Sequence, residues 1–239
     1  MAFLEQINTP EDVKRLSIQE LDALSEEIRH FLIESLSKSG GHLASNLGAV
    51  ELTLAVHKVF DTATDRLIFD VGHQCYTHKL LTGRREAFAT LRGFGGLSGF
   101  PKSHESVHDA FVAGHASTSI SVALGMARAR ALTGGDYHVI SVIGDGALSG
   151  GLAYEALNDA GQSGEKMIIL LNDNAMSINR SVGGMTKMLG RMRLKPQYAK
   201  FKNWFRRQTA KLPGGHHVYR FVHRAKEGLK SLLLPRNMF

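Results

Sequence analysis

The chain has 239 residues, of which 43% are hydrophobic, so it can bury a sizeable core and global disorder is excluded. Its one cysteine, Cys75, excludes an intrachain disulfide and a cysteine-based zinc cluster. The N-terminus lacks the basic-then-apolar pattern of a signal peptide, and no apolar run approaches the roughly 20 residues that span a bilayer. We therefore expect a cytoplasmic protein that does not associate with a membrane.

The net charge of +7 is concentrated at one end of the chain. Residues 185–239 carry 14 of the 29 Lys and Arg and a single acid, Glu227. This shift in composition predicts a folded domain at 1–182, followed by an irregular, basic, partly flexible connector at 183–239. Aromatic residues among the basic ones leave a nucleic-acid-binding module as an alternative to a connector.

The first half of the chain begins with helical patterns. Apolar residues at steps of three and four between Leu21 and Leu36 predict a helix. Ser17, with Glu20 three residues later, is placed to form a capping box at the start of that helix. A second helical stretch is predicted at 48–60.

Strand and helix patterns then alternate. The apolar run at 66–71 predicts a buried strand, residues 117–133 predict a helix, and apolar runs at 137–144 and 166–173 flank a helical stretch at about 148–162. A strand, a helix and a strand in so short a span are typical of a βαβ unit with parallel strands. Continuous apolar strands are covered on both faces, so we expect an α/β fold. The expected architecture is a doubly wound, mostly parallel sheet with helices on both faces, followed by the irregular basic tail.

Two polar segments follow predicted strands, where ligands gather in parallel α/β sheets. They are GDGA at 144–147 and NDNAM at 172–176. Asp145, the Asn174 amide and the Met176 carbonyl offer the oxygen ligands that Mg²⁺ prefers, and the cation would in turn hold a diphosphate. Two alternatives stay open on spacing alone. The acid is a simple turn residue, or the glycines form a dinucleotide-binding loop, although an acid facing the pyrophosphate counts against the latter.

The GDG triplet followed about 30 residues later by NDN resembles the thiamine-diphosphate motif of transketolase-like enzymes. Further segments extend the match: SGGHLASNLGAVELTLAVH at 39–57, FDVGHQCYTHKLLTGR at 69–84, FGGLSGFPK at 94–102, GHASTSIS at 114–121 and LNDNAMSI at 171–178. Together they resemble the 1-deoxy-D-xylulose-5-phosphate synthase family, which joins pyruvate to glyceraldehyde 3-phosphate with loss of CO₂. The resemblance extends from about residue 10 to the end of the chain.

The resemblance implies a set of site residues. It makes His42 the catalytic residue at the reacting centre. It assigns the Mg²⁺ ligands to Asp145, Asn174 and Met176, and the contacts with thiamine diphosphate to His73, Gly114, His115, Ala116, Gly146, Ala147 and Asn174.

Other residues in or near these motifs are given no functional role. Asn46 stands where the family often has glycine, and we expect little effect from that change. His78, His104 and His108 are interpreted as ordinary buried or surface histidines. Cys75 is interpreted as a buried, inert thiol.

The resemblance also implies that parts of the enzyme lie elsewhere. Family members have three domains, and a pyrimidine-binding domain and a C-terminal domain would supply the activating glutamate and the aldehyde-phosphate site. We expect this chain to be inactive alone and the complete protein to be a homodimer. A non-catalytic thiamine-diphosphate-binding paralogue and a nucleic-acid-binding module are the alternatives. The retained Asp145 and Asn174 weigh against the first, and five specific motifs weigh against the second.

Overall fold

The computed structural model describes residues 3–173. The basic connector predicted at 183–239 and the predicted domain boundary lie outside the described residues. So do the predicted site residues Asn174 and Met176. These assignments therefore stay predictions.

Helices and parallel strands make up the described part of the chain. The α-helices are α1 (Pro10–Arg15), α2 (Ile18–Ser39), α3 (Leu43–Leu47), α4 (Val50–Val59), α5 (Tyr76–Leu81), α6 (Ser119–Thr133), α7 (Asp145–Leu148) and α8 (Gly151–Ser163). The strands are β1 (Arg66–Phe69), β2 (Val139–Gly144) and β3 (Ile168–Asn172), and short 3-10 helices cover Leu4–Gln6 and Glu86–Thr90. Among residues 3–173, no helix is long and apolar enough to cross a membrane.

The three strands form a parallel sheet in the order β1-β2-β3. Side chains alternate between its faces. Leu67 and Phe69 belong to the main core with residues of α2, α4 and α5. Ile68 packs instead with Ala123 and Ala127 of α6. Helices thus cover both faces of the sheet, which confirms the predicted α/β architecture.

The longest predicted helix is confirmed together with its cap. In α2 the Ser17 hydroxyl accepts the backbone N–H of Glu20 at 3.3 Å, and the Glu20 carboxylate accepts the backbone N–H of Ser17 at 2.7 Å. The apolar stripe is buried, with Leu24, Ile28 and Leu32 inaccessible to solvent. The helix ends at Gly40, whose φ of 69° suits glycine.

Two predicted boundaries are wrong by a few residues because the chain turns into left-handed conformations. The strand predicted at 66–71 ends at Phe69, since Val71 and Gly72 have φ of 59° and 89°. The helix predicted from 117 begins at Ser119, since Ser117 has φ of 69°. Both turns lie at the edge of the sheet where the predicted site residues cluster.

A buried polar network joins α4 and α5 to the loop before α6. His57 Nε2 lies 2.9 Å from His78 Nδ1, and His78 Nε2 lies 2.9 Å from a carboxylate oxygen of Asp109. Arg84 donates to both oxygens of the same carboxylate at 2.7 and 2.9 Å. Because a carboxylate only accepts, His78 donates through Nε2 and accepts from His57 through Nδ1.

Burial keeps the histidines of this network neutral. It lowers the pKa of His78 to about 4, although the hydrogen bond to Asp109 acts in the opposite direction. Burial by itself would raise the pKa of Asp109, but hydrogen bonds from His78 and Arg84 outweigh it and hold that pKa well below its usual range. At neutral pH the network therefore combines a neutral histidine pair with a buried ion pair between Arg84 and Asp109.

We expect acid to destabilise the chain through His78. As the pH falls from about 6.5 to about 4, the unfolded chain binds a proton at this histidine that the folded chain excludes, so this contribution to stability is lost. It is fully present above the unfolded pKa of about 6.5, and its size is up to about 3 kcal/mol. Urea unfolding at about pH 7 and about pH 4.5 measures the difference in unfolding free energy.

His78→Gln serves as the control for this prediction. An amide can still donate to Asp109 and accept from His57, but it does not titrate. The free energy of unfolding of this variant should decline less than that of the unsubstituted chain over the same pH range. An equal decline in both proteins would show that His78 is not the source.

Candidate active site at the carboxyl edge of the sheet

Asp145 lies directly beyond the carboxyl end of β2, at the first position of α7. The register of the sheet pairs Gly144 with Asn172 of β3. The segments that leave β2 and β3 therefore start side by side at one edge of the sheet. Asn174 follows two residues later, outside the described residues, so its distance from Asp145 stays untested.

Among residues 3–173, nothing crowds the backbone on either side of Asp145. A Cβ built on Gly144 or on Gly146 would meet no described atom within 4 Å, and the same holds for Gly114. Gly146 and Gly114 are both exposed. A ligand can therefore approach the backbone N–H groups of these segments closely, which is what recognition of a diphosphate by a glycine-containing loop requires.

The turn at 114–116 is held against the segment that contains Gly146 and Ala147. Its residues are exposed, whereas the following Ser117 is buried. The Ser117 hydroxyl donates to the carbonyl of Ala147 at 2.6 Å. Two of the predicted cofactor-contacting segments, 30 residues apart in sequence, are thus brought together.

Asp70, one residue beyond β1, fixes the conformation of Ser117. It is 1% exposed, and its two carboxylate oxygens accept the backbone N–H groups of Ser117 at 2.8 Å and of Ser119 at 3.0 Å. The hydroxyls of Ser119 and Ser141 are 2.9 Å apart, which ties the start of α6 to β2. These hydrogen bonds stabilise a left-handed serine, a conformation that is unfavourable for most residues other than glycine.

Asp70 was missed by the sequence reasoning. It was included in the predicted strand at 66–71 and given no role of its own. The available signal was an acid placed directly after a buried run, since side chains at the carboxyl ends of parallel strands face the ligand-binding edge of the sheet.

The two predicted site histidines contact each other. The ring centroids of His42 and His73 are 5.2 Å apart, with an interplanar angle of 69°. His42 is exposed, and His73 is half-buried. Burial lowers the pKa of His73, nearby His42 lowers it further, and Asp70 acts in the opposite direction. The Nδ1 atom of His73 is buried and has no hydrogen-bond partner among residues 3–173, so it is the type of group that a bound ligand satisfies.

The residues given no functional role lie in surroundings that fit this interpretation. Cys75 is buried, and burial raises the pKa of its thiol to about 12, so the reactive thiolate does not form at neutral pH. His78 belongs to the buried network. His108 lies 2.8 Å from the hydroxyl of Thr62, and His104 is exposed.

Within residues 3–173 there is no group of three or more His, Cys, Asp or Glu that could hold a metal ion. The predicted magnesium site does not require such a group, since two of its ligands are the Asn174 amide and the Met176 carbonyl. Asp145 is the one predicted ligand among the described residues. Its carboxylate is a donor of the type Mg²⁺ prefers, so the described part of the site fits this cation.

The sequence matches the family model described as 1-deoxy-D-xylulose-5-phosphate synthase over residues 4–239. The chain belongs to this family. The synthase of Caldanaerobacter subterraneus is 53% identical over 238 residues, which cover 99% of this chain and 38% of that protein. The synthase of Clostridium tetani is 56% identical over 229 residues, which cover 95% of this chain and 37% of that protein. The resemblance drawn from the sequence motifs is therefore confirmed.

The chain spans about 38% of the length of the curated synthases it matches. The match corresponds to the N-terminal part of these enzymes.

Gly150→Ala tests the hydrogen bond by which Ser117 holds the turn at 114–116 against the segment that contains Ala147. A Cβ at this position would lie 2.1 Å from the hydroxyl oxygen of Ser117 and 2.8 Å from its Cβ, so Ser117 must be displaced together with the turn it holds. We expect a loss of unfolding free energy of about 1–3 kcal/mol. We also expect weaker binding of thiamine diphosphate. Urea unfolding and calorimetric titration measure the two effects.

Gly151→Ala is the matched control. It places the same methyl group one residue later, where a Cβ meets no described atom within 4 Å. Its stability should stay within about 0.5 kcal/mol of the unsubstituted chain. Equal losses in the two variants would mean that the Ser117 contact does not hold the turn in place.

Proposed function

We propose that this chain is the diphosphate- and magnesium-binding part of a thiamine-diphosphate-dependent 1-deoxy-D-xylulose-5-phosphate synthase. The observation that carries the proposal is the hydrogen bond from Ser117 to Ala147, which holds the exposed turn at 114–116 beside the segment that begins with Asp145. Both segments offer open backbone at the ligand-binding edge of the sheet. The family match over residues 4–239 supports the same function.

The negative charge of the proposed ligand calls for a cation beside Asp145, and we assign this cation as Mg²⁺. A carboxylate at Asp145 would repel a diphosphate unless a cation lay between them. Asp145, Asn174 and the Met176 carbonyl would bind that cation. The cofactor would be contacted by the residues His73, Gly114, His115, Ala116, Gly146, Ala147 and Asn174.

The histidine pair would serve the reacting end of the cofactor. The lowered pKa of His73 keeps its ring neutral at pH 7, so its buried Nδ1 can accept a hydrogen bond. His42 is exposed beside it and would act as the catalytic residue at the reacting centre. An imidazole in that place can take up or return a proton during the reaction.

Bound thiamine diphosphate supplies the carbon nucleophile and the electron sink for decarboxylation. In the whole synthase, pyruvate and glyceraldehyde 3-phosphate would give 1-deoxy-D-xylulose 5-phosphate and CO₂, a step towards isoprenoids, thiamine and pyridoxal. The pyrimidine and C-terminal domains would correspond to the part of the relatives that this chain does not cover. We place the complete protein in the cytoplasm as a homodimer, and both assignments stay predictions.

Two alternatives are outcomes of the tests below. A paralogue without turnover would bind thiamine diphosphate but stay inactive when completed by the other domains. A nucleic-acid-binding module would use the basic residues at 183–239. We favour a connector for that segment because the family match continues through it.

We expect the chain to bind thiamine diphosphate only when Mg²⁺ is present. Asp145→Asn should weaken this binding at least about tenfold, because the variant loses a charged ligand of the cation. Calorimetric titration with and without Mg²⁺ measures the affinity. The control is Glu155→Gln, which removes one negative charge from an exposed position on α8. Binding that is insensitive both to Mg²⁺ and to Asp145→Asn would overturn the assignment.

We expect no turnover by the 239-residue chain alone. The activating glutamate and the aldehyde-phosphate site belong to the domains that the resemblance places elsewhere. Pyruvate decarboxylation should stay at background with saturating cofactor and Mg²⁺, and the addition of the other domains should restore it. Formation of 1-deoxy-D-xylulose 5-phosphate by the purified chain would contradict this prediction. Continued inactivity after completion would identify the non-catalytic paralogue.

A further inference from the structure

Asn46 occupies a position between the two site histidines. It lies on α3, four residues after His42, and it is fully buried. Its amide nitrogen donates to the carbonyl of His42 at 2.7 Å and to the carbonyl of His73 at 2.8 Å. Its amide oxygen accepts the backbone N–H of Tyr76, the first residue of α5, at 2.9 Å. One side chain therefore joins three backbone groups from two separate segments.

Few side chains can make these three hydrogen bonds. The two carbonyls need two donors and the N–H needs one acceptor, and a primary amide offers both. A carboxylate of the same shape has no donor, a serine has one, and glycine has none. The three partners also fix which end of the amide is the nitrogen, because carbonyl oxygens cannot donate. The contacts of Asn46 therefore count against the expectation that asparagine at this position matters little.

The hydrogen bonds of Asn46 connect segments that are far apart in sequence. His42 precedes α3, whereas His73 is 27 residues beyond Asn46, between β1 and α5. The exposed ring of His42 lies 5.2 Å from the ring of His73, centroid to centroid, and His42 directly precedes a helix of only five residues. Such a short helix has little stability of its own, so its position depends on tertiary contacts.

We propose that Asn46 is a positioning residue that sets the distance and angle between the rings of His42 and His73. The expected effect on catalysis rests on the proposed function. The effect on the geometry of the two rings can be measured in this chain alone. Asn46 touches the backbone of the two histidines and acts through them. If the role of Asn46 were purely structural, its replacement would affect the two histidines no more than replacement of any other buried residue that contributes equally to stability.

The first test measures ring geometry by nuclear magnetic resonance in the full 239-residue chain. Asn46→Ala removes all three hydrogen bonds. The ring protons of His42 and His73 should then lose their nuclear Overhauser contact. The pKa of His73 should rise towards the ordinary value of about 6.5, because the ring becomes more hydrated and its distance from His42 increases. Asp70, whose charge acts on His73 in the opposite direction, is unchanged in the variant.

Leu32→Ala is the matched control. Leu32 is fully buried in α2 and belongs to the main core, so its loss destabilises the chain without removing a hydrogen bond of Asn46. The ring contact and the His73 titration should be unchanged in this variant. Asn46→Ser is the second test variant if Asn46→Ala does not fold, since its single hydroxyl donor cannot satisfy the carbonyls of both His42 and His73. It should show the same changes as Asn46→Ala.

The second test measures catalysis in the full-length protein that carries this chain. Asn46→Ala should lower kcat about ten- to a hundredfold, because a small misplacement of a catalytic group has an effect of that size. KM for pyruvate should change less than about twofold, because Asn46 touches no substrate. Leu32→Ala should leave both parameters unchanged.

The outcomes separate the two proposals. Retention of the ring contact and of the His73 titration in the Asn46 variants would overturn the positioning role, whatever the activity. The same changes in Leu32→Ala would also overturn it, because they would reflect lost stability alone. Absence of synthase activity in the unsubstituted full-length protein would overturn the proposed function and leave the geometric result valid.

Discussion

The buried carboxylate of Asp70 determines how the candidate site is assembled. It lies one residue beyond β1 and accepts two backbone N–H groups from a segment 47 and 49 residues further along the chain. A non-glycine residue in a left-handed conformation costs about 1–3 kcal/mol. Hydrogen bonds to an ionised acceptor are roughly twice as strong as neutral ones, so the carboxylate can offset the conformational cost at Ser117. The turn at 114–116 is consequently anchored to the sheet itself.

The polar network behind the site supports a second loop. Asp109 accepts the backbone N–H of Lys102 at 2.7 Å, in addition to its bonds with His78 and Arg84. The loop that carries Lys102 also packs Pro101 against Gly72, where a Cβ would lie 2.5 Å from the proline ring. A glycine is required there by both this contact and its positive φ. Protonation of the network would therefore disturb a loop whose Phe100 ring lies 6.5 Å from the ring of His42, centroid to centroid.

The sequence was sufficient to predict those helices and strands whose signals lie within the element itself. Helix α2 has both a long apolar period and a capping box, and the apolar runs that became β2 and β3 are bounded by polar residues. Short helices such as α3 and α5 were missed, because five or six residues contain too little periodicity to be recognised. Their positions depend on tertiary hydrogen bonds such as those of Asn46.

The location of the candidate site could be predicted from the sequence, because ligands bind at the carboxyl ends of parallel strands. The register confirms that the segments after β2 and β3 leave the sheet side by side. The roles of Asp70 and Asn46 were not predictable in the same way, because their partners lie 27 to 49 residues away in sequence. No local pattern encodes such pairings. A polar residue beside a motif is a candidate for such a role when it is buried, since it must find hydrogen-bond partners when it leaves water.

Asp70 and Asn46 both act on the short segment that connects β1 to α5. Asp70 begins this segment, and its own carbonyl accepts the side-chain amide of Gln74 at 3.0 Å. Asn46 binds the same segment at His73 and at Tyr76. The segment thus links the turn that faces Ala147 to the histidine pair, and its backbone is held at both ends by buried side chains. Groups that are held in place before a ligand arrives lose little conformational entropy on binding. The described part of the candidate site is therefore preorganised, as the proposed binding and proton transfer would require.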